Sequence, residues 1–142
     1  MKTKFTSILK VRDLEVTKVE NEISKQKANK RVLNQKLIDS KEEIYGIKTP
    51  STGTILQMQS SQFQINTLRS TQKLILQDIE NINLKIKLLE QKYKEAMLEY
   101  EKIKHLHSIE VEKILAELKQ QEAKDMDEIA NQLFTRKNKK ED

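Results

Sequence analysis

The chain contains no cysteine and no tryptophan, only two glycines and one proline, and few aromatic residues. Without cysteine there are no disulfide bonds and no thiolate metal ligands, so side-chain packing must stabilise the fold. Few large aromatic side chains are present to fill a thick globular core. No run of about 18 apolar residues occurs, and the first ten residues lack the apolar segment of a standard signal peptide. These absences predict a cytoplasmic protein that neither spans a membrane nor follows the standard secretion route.

The residues that are present favour long, solvated helices. Of the 142 residues, 36% are hydrophobic and 35% are charged, with abundant Lys, Glu, Gln, Leu and Ile. Both glycines and the proline lie in segment 46–53, which predicts a single turn. Gly46 is expected to end a helix in the left-handed conformation, Pro50 to prevent its continuation, and Thr52 or Thr54 to cap the next helix. The prediction is one coiled-coil domain, 1–142, with helices at 4–45 and 54–135 and a basic tail at 136–142.

A seven-residue repeat of mostly apolar residues runs through both predicted helices. Such a repeat places one narrow apolar stripe on each helix, and two stripes joined by a short turn pack as an antiparallel coiled coil. Near Glu110 the repeat slips, and it continues in a shifted frame through Val111, Ile114 and Leu118. The sequence therefore predicts an all-α fold, a long antiparallel two-helix coiled-coil hairpin whose second helix is longer than its first. The seam positions are Phe5, Leu9, Arg12, Val16, Val19, Ile23, Gln26, Lys30, Leu33, Leu37, Ser40, Ile44 and Ile47, and then Met58, Ser61, Ile65, Leu68, Gln72, Ile75, Ile79, Ile82, Ile86, Leu89, Tyr93, Ala96, Tyr100, Ile103, His107 and Ile114.

The unequal lengths of the helices predict a free surface. Folding back at Pro50 would place Phe5 opposite Lys94, because each helical residue rises by roughly 1.5 Å in both helices. The second helix from about Tyr100 onward would then have no partner within a monomeric hairpin. An unpaired apolar stripe on a helix predicts a surface that binds another protein.

Residue patterns that could carry chemistry are weak. His105 and His107 are the only histidines, and two positions apart on a helix they point to different faces, so they cannot hold a metal ion together. No glycine-rich loop with a following Lys-Ser/Thr is present to bind phosphate. The carboxylates lie among lysines on an expected open rod that has no pocket to raise a pKa. The prediction is a protein that is not an enzyme and has no cofactor, metal or small-molecule substrate.

Segment 49–68 has no charged residue, although more than a third of the whole chain is charged. One interpretation is a polar turn followed by a neutral helix start. The other is a docking surface, because depletion of charge together with exposed Phe and Met is typical of interface cores. Ile55, Leu56 and Phe63 lie off the seam and are the candidate anchors.

Two short stretches of the chain resemble the flagellar export protein FliJ family. These are the opening Phe5-Thr6-Ser7-Ile8-Leu9-Lys10-Val11-Arg12 and the closing Lys124-Asp125-Met126-Asp127-Glu128-Ile129-Ala130, which is followed by a basic tail. Length, turn position and helix inequality also fit that family. The resemblance implies a hairpin similar to the central stalk of rotary ATP synthases, within the type III export apparatus of the bacterial flagellum and hence linked to motility and chemotaxis.

The same resemblance implies partners and a location. The family inserts into the ring of the export ATPase FliI and promotes its activity, bridges to the export-gate protein FlhA, and handles export chaperones. A cytoplasmic protein, peripheral at the inner face of the cell membrane, is expected. The candidate contacts with the ATPase ring are Phe5, Ile8, Leu9, Arg12, Met126, Ile129 and Leu133, and those with the export gate are Tyr45, Ile55, Leu56, Gln59 and Phe63.

Three alternatives remain open at the level of sequence. A structural coiled coil could form homodimers through the unpaired half of the second helix, with Tyr93, Tyr100 and Ile103 at the contact. A nucleic-acid-binding coiled coil would use the net charge of +5 and the basic tail. Most Lys and Glu residues are interleaved, however, which favours a solvated face and no nucleic acid. The third alternative is the equivalent stalk of a virulence type III secretion system.

Overall fold

A computed structural model gives the architecture of the chain and describes residues 1–47 and 54–141, with side chains up to residue 139. Helix α1 spans Thr6–Gly46 and has 41 residues, and helix α2 spans Ile55–Glu141 and has 87 residues. No strand occurs in either described range. α2 thus continues through most of the segment that the sequence analysis assigned to a basic tail. The all-α hairpin with a longer second helix is confirmed.

Two threonines fix the start of α1. The Thr3 hydroxyl oxygen accepts a hydrogen bond from the Phe5 amide at 3.1 Å, and the Thr6 hydroxyl oxygen accepts one from the Thr3 amide at 2.8 Å. The exchange resembles a capping box, in which two side chains at the end of a helix each satisfy a backbone N–H of the other's residue. Because those amides would otherwise lack partners, this arrangement favours a helix that begins at Thr6.

The opposite end of α1 differs from the expectation. Gly46 is the last helical residue and does not adopt a positive φ, so the predicted left-handed conformation is wrong. The helix closes instead with a shorter-range hydrogen bond from the Ile47 amide to the Ile44 carbonyl at 3.1 Å. Pro50 and Thr52 lie outside the described residues, as does most of the predicted turn. α2 begins after Thr54, whose carbonyl accepts from the Gln57 amide at 3.1 Å and whose hydroxyl lies 3.4 Å from it.

The chain divides into two compact units, one formed by residues 15–96 and the other by Met1–Leu14 with Met97–Asp142. In the unit of residues 15–96, every predicted seam position from Val16 to Ile47 and from Ser61 to Ala96 is buried or half-buried. The most deeply buried apolar side chains are Val16, Ile75 and Ile86. Two helices alone enclose only a thin core, so few seam residues lose all contact with water.

The pairing in this unit is antiparallel. Val19 lines a groove with Leu89 and Lys92, whereas Ile47 lines another groove with Phe63 and Leu68. The partner residues on α2 therefore come earlier in the chain as α1 advances. Residues 55–60 of α2 are exposed, although Met58 was predicted on the seam. The first turns of α2 thus lie outside the pairing.

The other unit corrects the predicted register. The Thr3 hydroxyl lies 2.8 Å from the His107 Nδ1, so the start of the chain lies beside His107 rather than placing Phe5 opposite Lys94. Tyr100, Ile103 and Ile114 are half-buried, and the prediction that they lack a partner is wrong. The physical reason is that the prediction let the pairing start directly at Pro50, whereas the first residues of α2 are exposed and the residues of α2 that face α1 come later in the chain. Only from Leu115 onward is every described side chain exposed.

Candidate protein-binding surfaces

The residues predicted to meet an export gate are exposed in the unit of residues 15–96. Phe63 is 72% exposed and Tyr45 is 95% exposed, while Ile55 and Leu56 each leave about three quarters of their surface free. Ile55, Gln59 and Phe63 follow one another at four-residue intervals and so share one face of α2. Leu56 adjoins that face. We name Ile55, Leu56, Gln59 and Phe63 the turn-proximal surface.

A shallow groove adjoins Phe63. It has a volume of about 310 Å³ and is lined by Phe63 and Leu68 from α2 and by Ile47 and Glu43 from α1, together with Gln64 and Thr67. Tyr45 is not among these lining residues, so the groove links only Phe63 of the predicted set to α1. The structure gives Phe63 an apolar recess on one side and solvent on the other.

Polar side chains near the groove are bonded within their own helix. The Thr67 hydroxyl donates to the Phe63 carbonyl at 2.9 Å, and the Gln62 amide donates to the Asn66 side-chain oxygen at 3.1 Å. Gln59 is the one polar member of the turn-proximal surface, and Ile55, Leu56 and Phe63 supply its exposed apolar area. Residues 54–68 also carry no charge. This composition suits an interface core whose strength does not depend on salt.

The first set of residues predicted to meet an ATPase ring lies at the start of α1. Phe5, Leu9 and Arg12 are half-buried seam residues, and Ile8 is exposed beside the seam. The Lys4 ammonium lies 5.4 Å from the centroid of the Phe5 ring, so a cation covers part of that ring. Phe5, Leu9 and Arg12 therefore use much of their surface in the pairing with α2, and Ile8 is the most accessible residue of the set.

The second set lies on the last six turns of α2. Met126 is 72% exposed, and Ile129 and Leu133 are also exposed on the same face. Leu115 and Leu118 precede them on that face, with Glu122 between the two apolar groups. We name Leu115, Leu118, Glu122, Met126, Ile129 and Leu133 the C-terminal stripe.

The structure does not bring the two predicted ring-binding sets into one patch. Thr3 contacts His107, whereas Met126 comes 19 positions later on the same helix, a distance of about 30 Å along its axis. The start of α1 and the C-terminal stripe are therefore separate features of their unit. A ligand that touched both would have to extend along the helix.

Sequence reasoning missed part of the C-terminal stripe and a neighbouring aromatic residue. Leu115 was not singled out, and neither was Phe134, which is 66% exposed beside the stripe. An eleven-residue spacing was the available signal: it relates Leu115 to Met126, Leu118 to Ile129 and Glu122 to Leu133. An interval of eleven residues spans close to three full turns, so it returns to nearly the same face and drifts in the opposite sense to an interval of seven residues.

Two other kinds of site are absent from the described residues. No helix there has a stretch long and apolar enough to cross a lipid bilayer. No group of three or more His, Asp or Glu side chains in those ranges is placed to hold a metal ion.

The fold and its exposed surfaces define an all-α coiled-coil protein with apolar faces directed to solvent. The model of the flagellar FliJ protein family matches residues 1–139. The chain belongs to the flagellar FliJ family, and it is thus a coiled-coil protein related to flagellar protein export. Comparison with curated proteins and with solved structures gave no match.

Proposed function

We propose that the chain is the stalk of the flagellar export ATPase, inserting the C-terminal stripe into the ring of FliI and stimulating ATP hydrolysis there. The observation that carries the proposal is an exposed apolar stripe on a helix that has no partner beyond Ile114 in the described part of the chain. An axial cavity lined by several subunits can enclose such a helix on all sides. Ile8 and its neighbours Phe5, Leu9 and Arg12 add a second, weaker contact.

Several weak contacts suit a stalk better than one site of high affinity. A single tight site would hold the helix on one subunit, whereas distributed apolar contacts allow the same helix to engage a symmetric ring. The C-terminal stripe has this character because its five apolar side chains are spread over nearly five helical turns with a carboxylate among them.

The turn-proximal surface serves a different partner in the same proposal. We assign it, together with Tyr45, to the cytoplasmic part of the export gate FlhA. This contact would hold the chain at the inner face of the cell membrane as a peripheral protein. Two separated surfaces suit a protein that bridges an ATPase and a gate, and export chaperones would be received on the same assembly.

The ring contact is tested by truncating the chain after Glu122 and measuring ATP hydrolysis by purified FliI. The truncated chain is expected to lose stimulation and to keep its cooperative melting, because all residues removed are exposed where their side chains are described. The sharper variant replaces Met126, Ile129 and Leu133 by Ser. Its matched control replaces Leu74, Leu84 and Leu88 by Ser, since these three apolar residues are exposed to a similar extent but lie outside the stripe. Full stimulation by the stripe variant would refute insertion through this segment.

The gate contact is tested with Phe63→Asp and the cytoplasmic domain of FlhA. Binding should weaken at least tenfold, the loss typical of an interface hot spot, while helix content stays unchanged. Leu74→Asp is the control, because Leu74 is also exposed on α2 and lies outside the uncharged segment. Equal binding by Phe63→Asp and the unmodified chain would leave the uncharged segment without this role.

A further inference from the structure

We propose that the C-terminal stripe also binds a second copy of itself, in antiparallel orientation, to form a reversible dimer that hides the stripe. The pairing stands on the stripe alone, and its regulatory meaning rests on the proposed function. Within its unit the stripe is exposed over its whole length, and Met126 and Leu133 are free to reach a partner helix.

The spacing of the stripe selects the kind of partner. Eleven positions separate Leu115 from Met126 and Leu118 from Ile129, whereas the seam of the hairpin repeats every seven. Two helices stay in continuous contact only when their stripes turn around the helices at the same rate. A second copy of this segment matches the eleven-residue spacing of the first by identity.

The orientation follows from the order of residues along the stripe. The spacing is nearly the same when read from either end, so an antiparallel pair places Leu115 against Leu133, Leu118 near Ile129 and Glu122 against Met126 of the other copy. A parallel pair in register would instead place Glu122 against its own copy within the contact. Like charges at a helix contact are destabilising, so the antiparallel arrangement is favoured.

Charges beside the stripe favour the same arrangement. In the antiparallel pair the basic end of each helix lies beside the acidic start of the other segment, with Lys137 near Glu112. Both residues flank the stripe on the same side, and opposite charges at such positions set partner and orientation in helical pairs. By symmetry this pair of charges occurs twice.

One residue opposes the pairing and keeps it reversible. Asp125 lies close to the centre of the symmetric contact and flanks the stripe, so the two copies of Asp125 approach one another. Their repulsion weakens the dimer. Asp125→Asn removes the charge and retains most of the side-chain shape, and it is expected to tighten the dimer severalfold.

The existence of the dimer is tested by sedimentation of the full chain from low micromolar to near-millimolar concentration. A concentration-dependent shift from monomer to dimer is expected. Leu118→Asp should abolish the shift, and Leu98→Asp, at another exposed leucine in the same unit, should leave it in place. A chain that stays monomeric throughout, or a dimer that survives Leu118→Asp, would overturn the proposal.

The orientation is tested by disulfide cross-linking, for which the absence of native cysteine is an advantage. Chains carrying Leu115→Cys are mixed with chains of different mass carrying Leu133→Cys and then oxidised. The antiparallel dimer gives the mixed cross-link. Leu115→Cys alone should not cross-link to itself, since in that arrangement the two positions lie 18 residues, about 27 Å, apart along the helices. Cross-links between identical positions would overturn the orientation.

The regulatory meaning is tested by ATP hydrolysis. Asp125→Asn should lower stimulation of FliI at concentrations where it is dimeric and restore it on dilution. If the chain dimerises but its monomer does not stimulate ATP hydrolysis by FliI, the proposed function is refuted and the pairing stands. If the chain stimulates FliI but never dimerises, the pairing is refuted and the proposed function stands.

Discussion

The seam of the hairpin and the C-terminal stripe contain similar apolar residues but have different surroundings. Both consist of Ile, Leu and Met or Tyr side chains at intervals of three and four positions along α2, yet the seam is covered and the stripe is exposed. Hydrophobicity alone does not separate them. The difference lies in what each faces, because the seam lies against α1 and the stripe extends past the start of α1.

The change of period coincides with the end of the pairing. The seven-residue repeat slips near Glu110, Ile114 is the last half-buried residue of α2, and the eleven-residue spacing starts with Leu115. A seven-residue repeat gives a left-handed supercoil, whereas an eleven-residue repeat gives a right-handed one. The exposed segment therefore differs from the seam in its spacing as well as in its exposure.

The largest expected effect comes from breaking the seam. Replacing Ile79, Ile82 and Ile86 together by Ser should abolish cooperative thermal melting, because full burial of an Ile contributes roughly 1.5 to 3 kcal/mol and the three together lose a large part of the seam. Thermal unfolding followed by circular dichroism measures it. The stripe variant with Met126, Ile129 and Leu133 replaced by Ser is the matched comparison and should melt like the unmodified chain. Cooperative melting of the seam variant would show that the contact lies elsewhere.

The seam itself was predictable from the sequence, and its register was not. Each predicted seam residue between Val16 and Ile47 is covered, because the apolar stripe of a helix must be buried for the helix to be stable. The contact of Thr3 with His107 was missed because the apolar pattern shows which residues lie on the seam and does not show where along α2 the pairing starts. The exposure of Met58, a predicted seam residue, was missed for the same reason.

The candidate surfaces were predicted in part. Exposure of Phe63 and Met126 fits the surfaces that the sequence analysis proposed, and their partners stay predictions. Phe5 and Arg12 are half-buried, as their predicted seam positions imply, so part of their surface is not available for the ring contact that was also predicted for them. How far α2 extends alongside the start of α1 decides which residues there are free.

A smaller effect is expected at the start of α1. Thr3→Val removes the hydroxyl that accepts from the Phe5 amide and contacts His107, and it should cost about 1 kcal/mol, as the loss of a helix cap does. Hydrogen exchange at the first turn should accelerate. Thr135→Val is the control on the C-terminal segment, because its exposed hydroxyl only donates to the carbonyl of Asn131 in its own helix. If the amides of the first turn exchanged equally slowly in Thr3→Val and in the unmodified chain, the Thr3 hydroxyl would not hold the start of the chain.

A gain of stability is expected from a polar position of the seam. The Gln72 side-chain nitrogen is buried without a hydrogen-bond partner, and such a group costs roughly 1 to 3 kcal/mol. Gln72→Leu should therefore raise the melting temperature. Gln120→Leu, at an exposed position of the C-terminal segment, should change it little. A lower melting temperature for Gln72→Leu would show that the glutamine fixes the register rather than weakening it.

The smallest expected effect on the hairpin is at Glu122, the one charged member of the C-terminal stripe. Glu122→Leu completes the eleven-residue apolar pattern, and Leu and Glu have similar helix propensities, so the free energy of unfolding of the monomer should change by less than about 0.5 kcal/mol. The same substitution should strengthen association between chains, because a carboxylate no longer loses water at the contact. Thermal melting at low concentration, beside sedimentation at high concentration, separates the two effects. If Glu122→Leu stabilised the dilute monomer by several times that amount, the stripe would have to pack within its own chain, and the distinction between a covered seam and a free stripe would fail.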